Sequence, residues 1–221
     1  MKRHRCIFVG IFLFILTFLA APAEATELSL APMLGYNSGL GFQLSALTSD
    51  FAQGFPFKVK FSIGYTSIQP GNALQARKIF INDATNGIPE KKGWVWDFRL
   101  NLLHKFRKNT YVYGGVRYSL YTGNFVFVGG NEDFDVTSKQ WGFGGGLEAH
   151  FRMSSRINLI VSPGIDYFLP SKLNGHDTAY SPDGENVNPR LDYTYQDADK
   201  AINQPKLVFR MLIGFSYRFR S

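Results

Sequence analysis

Glu148 and His150 lie two positions apart, and Ser154 and Ser155 follow a few residues later. A carboxylate, an imidazole and a hydroxyl are the groups of a nucleophilic hydrolase, in which the carboxylate orients a histidine that activates a serine. Residues two apart on a β-strand share one face, so Glu148 can orient His150. The two serines, however, fall in a polar segment that is typical of a turn. We therefore expect a structural Glu–His pair and assign no catalytic residue.

Two polar stretches hold the other candidate groups. His176, Asp177 and Ser181 lie in the longest polar segment, where loop composition alone accounts for such residues. Acidic patches occur at 131–135 and 183–186, but neither has the spacing of an EF-hand loop. We predict no metal site and no cofactor.

The elements that carry these residues are β-strands. From Gly93 to Phe106, large apolar side chains occupy every second position and alternate with Val95, Asp97, Arg99 and Asn101. This period of two is the signature of strands, and helical periodicity is nearly absent. Eight such segments are predicted, at about 28–36, 40–48, 57–66, 93–106, 111–120, 140–151, 157–168 and 207–220.

The connections between these strands alternate in length. Short turns are expected at 107–109 and 154–155, and a medium one at 49–55. Long polar loops are expected at 69–92, 124–136 and 171–204, whereas 37–39 resembles a tight hairpin. Short turns at one rim and long loops at the other are typical of an up-and-down barrel in an outer membrane.

The apolar faces separate a membrane barrel from its alternatives, a soluble β-sandwich or a lipocalin-like barrel. They are too consistently aromatic for a soluble surface, and aromatic residues near strand ends fit the girdles of a membrane barrel. These girdle candidates are Tyr65, Trp94, Trp96, Trp141, Tyr167, Phe215, Tyr217 and Phe219. The sequence therefore predicts an all-β, membrane-spanning barrel of eight antiparallel strands.

The polar faces then line the lumen. Nine charged residues are predicted to point inward: Lys58, Lys60, Asp97, Arg99, Arg117, Glu148, His150, Asp166 and Arg210. An eight-stranded barrel is just wide enough inside for side chains to fill it, so these charges must pair. We expect a plug of ion pairs. A gate whose pairs rearrange to pass small ions is the alternative that the sequence leaves open.

The N-terminus reads as a secretory signal peptide, residues 1–25. Lys2, Arg3 and Arg5 precede an apolar run from Ile7 to Leu19, and Ala23-Glu24-Ala25 supplies a cleavage site. The run is short for a membrane anchor. The only cysteine, Cys6, lies in this segment. Export and the lack of a basic cluster argue against a nucleic-acid partner, although the net charge is +7.

Residues 26–221 resemble the small eight-stranded outer-membrane barrels, the OmpA/OmpX-like group of Gram-negative bacteria. The resemblance rests on the leader, the strand count, the loop alternation and the ending FSYRFRS. No segment for a periplasmic peptidoglycan-binding domain follows the last strand. In this group the aromatic last strand is read by the barrel-assembly machinery, which implies such a role for Phe215, Tyr217 and Phe219. Arg220 and Ser221 replace the usual terminal Phe.

The resemblance implies residence in the cell outer membrane, among its lipid and lipopolysaccharide. A structural or surface-interaction role is expected, with loop 171–204 as the part that would meet an extracellular ligand. Tyr180, Tyr193 and Tyr195 of this loop suit recognition, and equally suit a loop packed over the barrel mouth. The alternatives are a narrow, porin-like channel or transporter for small solutes, and an enzyme that modifies lipid A.

Overall fold

The computed structural model describes residues 27–49 and 54–219. The predicted signal peptide, part of the 49–55 connection and the last two residues lie outside this range. Within the described part, no helix is long and apolar enough to cross a membrane.

The described residues form ten strands and two short helices. The strands are β1 (Glu27–Asn37), β2 (Leu40–Ser49), β3 (Phe57–Ile68), β4 (Ile88–Arg107), β5 (Thr110–Val128), β6 (Glu132–Arg152), β7 (Ile157–Phe168), β8 (Leu173–Asn174), β9 (Ala179–Tyr180) and β10 (Leu207–Phe219). The helices are α1 (Ala73–Phe80), which follows β3, and α2 (Tyr195–Ala201), which precedes β10. The prediction of eight long antiparallel strands is confirmed, although "all-β" omits the two helices.

Eight strands close into a barrel. Each of β1 to β6 pairs antiparallel with its successor, β10 pairs with β7, and β10 returns to β1, for example through Leu34 opposite Ile213. The turns at Lys108-Asn109 and 153–156 lie at one end, here named the short-turn end. The connections 69–87, 129–131 and 169–206 lie at the other, the long-loop end, together with the hairpin at Ser38-Gly39.

Side chains alternate between the lumen and the outer wall as predicted. On β4, Asp97, Arg99 and Asn101 are buried, while Trp96 and Leu100 are exposed on the wall. Aromatic residues gather toward the two ends of this apolar wall. Tyr65, Trp94, Trp96, Trp141 and Tyr167 lie toward the long-loop end, and Phe106, Phe151, Tyr217 and Phe219 toward the other.

Beyond the aromatic residues at the long-loop end, β4, β5 and β6 continue, and the polarity of their two faces exchanges. The inward positions become apolar and the outward positions become polar. Phe125, Phe127 and Phe134 point inward and are buried, whereas Asn124 and Asp135 lie on the outer face. Apolar residues here face a packed interior. The loop predicted at 124–136 is therefore wrong: β5 runs to Val128, β6 begins at Glu132, and only residues 129–131 form the turn.

Connections 69–87 and 169–206 fold over the long-loop end as a compact layer, here named the cap. It contains α1, α2, β8 and β9, and it packs on the inner faces of the protruding strands. Its core includes Ala76, Phe80, Leu173, Tyr180 and Ala198, each at most 2 % exposed. The predicted loops 69–92 and 171–204 are thus folded, and residues 88–92 belong to β4.

Candidate functional site: a charged lumen beneath a packed cap

The middle of the lumen holds five of the predicted charged residues in one network, here named the middle layer: Asp97, Arg99, Arg117, Asp166 and Arg210. Asp166, which is fully buried, is its centre. Arg117 Nε donates to Asp166 Oδ1 at 2.7 Å, and Arg99 Nη1 forms an ion pair with Asp166 Oδ2. Arg99 Nε also pairs with Asp97 Oδ1. The shared carboxylate fixes several strands at once, because its partners come from β4, β5 and β10.

Arg210 is held mainly by neutral groups that the charge pattern did not single out. Its Nη2 donates to Tyr113 Oη at 2.6 Å and its Nη1 to Gln43 Oε1 at 2.8 Å. Tyr113 Oη in turn donates to Pro163 O at 3.1 Å. The inward position of Tyr113 and Gln43 on their strands was the available signal, but their partner could not be read from one sequence.

Glycines on nearby strands leave the space that these polar groups occupy, and two of them are direct cross-strand partners of the carboxylates. A Cβ on Gly144 would lie 1.9 Å from Asp166 Oδ1, and one on Gly64 would lie 2.6 Å from Asp97 Oδ2. A Cβ on Gly164 would lie 2.1 Å from Tyr113 Oη. The inward glycines of the strands are therefore matched to the middle layer.

Nearer the short-turn end lies a second network, here named the lower layer: Lys60, Glu148 and His150. Lys60 Nζ lies 2.5 Å from Glu148 Oε2, and His150 Nε2 lies 2.8 Å from Glu148 Oε1. Lys58 is not part of it: this half-buried side chain places its ammonium 5.2 Å from the centre of the Tyr111 ring.

The hydrolase candidates are not assembled into a triad by the contacts of the described residues. His150 Nε2 contacts Glu148, whereas Ser154 Oγ accepts from the backbone N–H of Arg156 and Ile157 and so closes an exposed turn. In the cap, exposed His176 pairs with its sequence neighbour Asp177 at 2.8 Å. No group of three or more metal-ligating side chains occurs in the described chain.

A buried arginine joins the cap to the protruding ends of β5 and β6. Arg77 of α1 is fully buried; its Nη2 lies 2.5 Å from Glu132 Oε2, and its guanidinium lies 4.4 Å from the centre of the Phe127 ring. The Arg77 guanidinium beside this carboxylate holds the pKa of Glu132 below its ordinary value of 4.5. Tyr121 adds a second link by donating to Pro70 O at 2.8 Å.

The cap tyrosines pack inward. Tyr180 is fully buried, forms an edge-to-face contact with Phe80, and donates to Ile79 O at 3.2 Å. Tyr193 and Tyr195 pack against the same core. Of the two interpretations of these residues, the one with a loop packed over the mouth therefore describes the structure. The large apolar side chains that the cap exposes are instead Leu74, Leu169, Val187 and Leu191.

Phe215, Tyr217 and Phe219 all project from the outer wall of β10. The rings of Tyr217 and Phe219 are in edge contact, with centroids 5.1 Å apart. Because β10 joins β1 to β7, it is the strand that closes the barrel.

No protein-family model matches the sequence, and no curated protein matches it. Among solved structures, a major outer membrane protein of Thermus thermophilus is similar at 24% identity and a TM-score of 0.70, over 89% of this chain and 100% of its own. Neisserial surface protein A aligns at 13% identity and a TM-score of 0.42, over 88% and 96% of the two chains. The first likeness confirms the architecture: this chain is an eight-stranded antiparallel β-barrel with the fold of the Thermus outer membrane protein.

Proposed function

We propose that this protein is an integral outer-membrane barrel with a structural or surface-interaction role, closed to solutes and displaying a folded cap. The observation that carries the proposal is a lumen filled by two charge layers beneath a cap with its own apolar core. A lumen filled and covered in this way leaves no open path for a solute, which supports a structural or surface role over transport.

The outer wall supports the membrane assignment. Ten residues separate Trp96 from Phe106 along the outward face of β4. At a rise of about 3.3 Å per residue and a tilt of about 40°, they span about 25 Å, the height of a membrane barrel's apolar band. Outside this band the wall carries Asn124, Asp133 and Asp135, which suit water.

The orientation follows from the unequal ends. In outer-membrane barrels the short turns face the periplasm and the long connections face outward. The cap would then face the cell exterior and meet lipopolysaccharide or an extracellular ligand, with exposed Leu191 at its surface. Phe215, Tyr217 and Phe219 of the closing strand would serve as the signal for the barrel-assembly machinery.

The test is site-directed cysteine labelling. The sequence has one cysteine, Cys6, and it lies in the predicted leader, so residues 26–221 contain none. Cysteines introduced at Leu191 and at Ser154 can therefore be labelled selectively in the processed chain. A membrane-impermeant maleimide applied to intact Gram-negative cells is expected to label Leu191→Cys. The matched control, Ser154→Cys, is exposed at the opposite end and should react only after the outer membrane is permeabilised.

Equal labelling of both cysteines in intact cells, or labelling of Ser154→Cys alone, would contradict the proposed topology. Recovery of the protein in the soluble periplasmic fraction would contradict the membrane assignment itself. A folded membrane barrel should also migrate differently on gels before and after boiling.

A further inference from the structure

The middle layer is not electrically balanced. It contains three guanidinium groups and two carboxylates, and each of the five side chains is at most 5 % exposed. The lower layer cannot supply the missing negative charge, because Glu148 is already paired with Lys60. One positive charge therefore lacks a counter-charge among the described lumen residues. An uncompensated buried charge is costly, so a native fold favours a way to neutralise it.

Two nitrogen atoms of the middle layer lack a hydrogen-bond acceptor. Arg117 Nη2 and Arg210 Nε are buried and have no hydrogen-bond partner in the described part of the chain. The other nitrogens of both guanidiniums are used: those of Arg117 by Asp166 and Val116 O, those of Arg210 by Gln43 and Tyr113.

The two side chains flank one carboxylate. Arg117 Nε lies 2.7 Å from Asp166 Oδ1, and Arg210 Nε lies 3.9 Å from Asp166 Oδ2, which is too far for a hydrogen bond. The unpartnered donors thus belong to neighbouring cations within the same layer. Charge-assisted hydrogen bonds to an anion are roughly twice as strong as those between neutral groups.

We propose that the lumen binds one small monovalent anion of the halide class beside Asp166, with Arg117 and Arg210 as its donors, as a structural counter-ion of the middle layer. A halide is favoured over larger anions because side chains fill an eight-stranded lumen. The proposal does not depend on the membrane role of the protein.

A cation is disfavoured at the same level of the barrel. Asp97 Oδ2, Ser119 Oγ and Gln140 Oε1 also lack partners, and cross-strand pairing places their residues side by side on β4, β5 and β6. These oxygens could coordinate a hard cation such as sodium. A cation would raise the excess positive charge of the layer, whereas water can satisfy the three oxygens without adding charge.

The direct test is anomalous diffraction from full-length mature protein refolded and crystallised in sodium bromide. Refolding in bromide removes any need for the ion to cross the cap. The proposal expects a bromide peak within hydrogen-bonding distance of Arg117 and Arg210. A lumen without such a peak, with bromide only at the protein surface, would overturn it.

A solution test uses urea unfolding in detergent micelles, with bromide replaced stepwise by the bulky anion gluconate at constant ionic strength. Above the dissociation constant, each tenfold rise in bromide should raise the folding equilibrium constant by up to about tenfold. An exchange of sodium for potassium should have no effect. Indifference to bromide, or a dependence on the cation, would contradict an anion site.

Three variants assign the effect to the middle layer. Arg117→Gln balances the charge and removes one donor, so its stability should lose the dependence on bromide. Asp97→Asn raises the excess to two positive charges and should shift the dependence to lower bromide concentrations. Lys58→Gln, outside both layers, is the matched control and should behave like the wild type. Equal bromide dependence in Arg117→Gln and Lys58→Gln would refute the assignment.

Discussion

Asp166→Asn should strongly lower the free energy of unfolding of the barrel, although it hardly changes the volume of the side chain. Asp166 is fully buried and is contacted by the guanidiniums of Arg99, Arg117 and Arg210. The neutral amide keeps the shape but leaves Asp97 as the only carboxylate for three arginines. Removing one partner of a buried ion pair costs about 3–5 kcal/mol. We expect a loss of that size in the free energy of unfolding.

The assay is equilibrium urea unfolding of the mature chain in detergent micelles, followed by tryptophan fluorescence. With a denaturant dependence of about 2 kcal/mol per molar urea, the midpoint should fall by about 1.5–2.5 M. Asp133→Asn is the matched control, because Asp133 lies on the exposed outer face and accepts from Asn124. Its effect should stay within about 0.5 kcal/mol. Equal midpoints for the two variants would refute the view that the middle layer holds the strands together.

Two further predictions concern the glycine-made space and the lock of the cap. Gly144→Ala would place a Cβ 1.9 Å from Asp166 Oδ1 and 2.7 Å from Ile165 O, so it should destabilise the barrel by about 1–3 kcal/mol, as overpacking does. Gly114→Ala, whose Cβ would have its nearest neighbour at 3.8 Å, should be close to neutral in the same urea assay; equal losses would contradict the steric argument. Because Arg77 lowers the pKa of Glu132, the stability that this pair gives the cap is present above the ordinary value of 4.5 and is lost as the pH falls through the lower folded-state value. Near-ultraviolet circular dichroism of the buried cap tyrosines should report this acid loosening, and Glu132→Gln should remove its pH dependence; an unchanged acid transition in that variant would exclude the pair as its cause.

The alternation of side chains was sufficient to predict the barrel. Within the apolar band, the residues between the large apolar groups of β4 pointed inward as expected. Eight of the nine charged residues predicted to point inward lie in the two charge layers, because side chains must meet in a narrow lumen, whereas Lys58 lies outside both. The pairing partners of individual charges could not be predicted, because they depend on the stagger of the strands.

The helices of the cap and the extensions of β4, β5 and β6 were not predicted, and the reason is physical. Beyond the girdle the inner side of the barrel becomes the apolar one, so Phe125 and Phe127 point inward while Asn124 points outward. A rule that assigns the apolar face of a strand to the outer wall fails for this part of the strands, because here the apolar face packs under the cap and the polar face is exposed. Short helices such as α1, with a mixed composition, give little periodic signal over eight residues. Arg77 lies in the segment that the sequence predicted as the loop 69–92.

The most direct test of a closed barrel is single-channel conductance of the mature chain refolded into planar bilayers, across a range of salt concentrations and voltages. The charge layers and the cap predict a silent membrane, with a large-pore porin as the positive control for insertion. Discrete openings of the wild type that change when Arg117 or Glu148 is neutralised would contradict the closed barrel, and would make the lumen charges a gate.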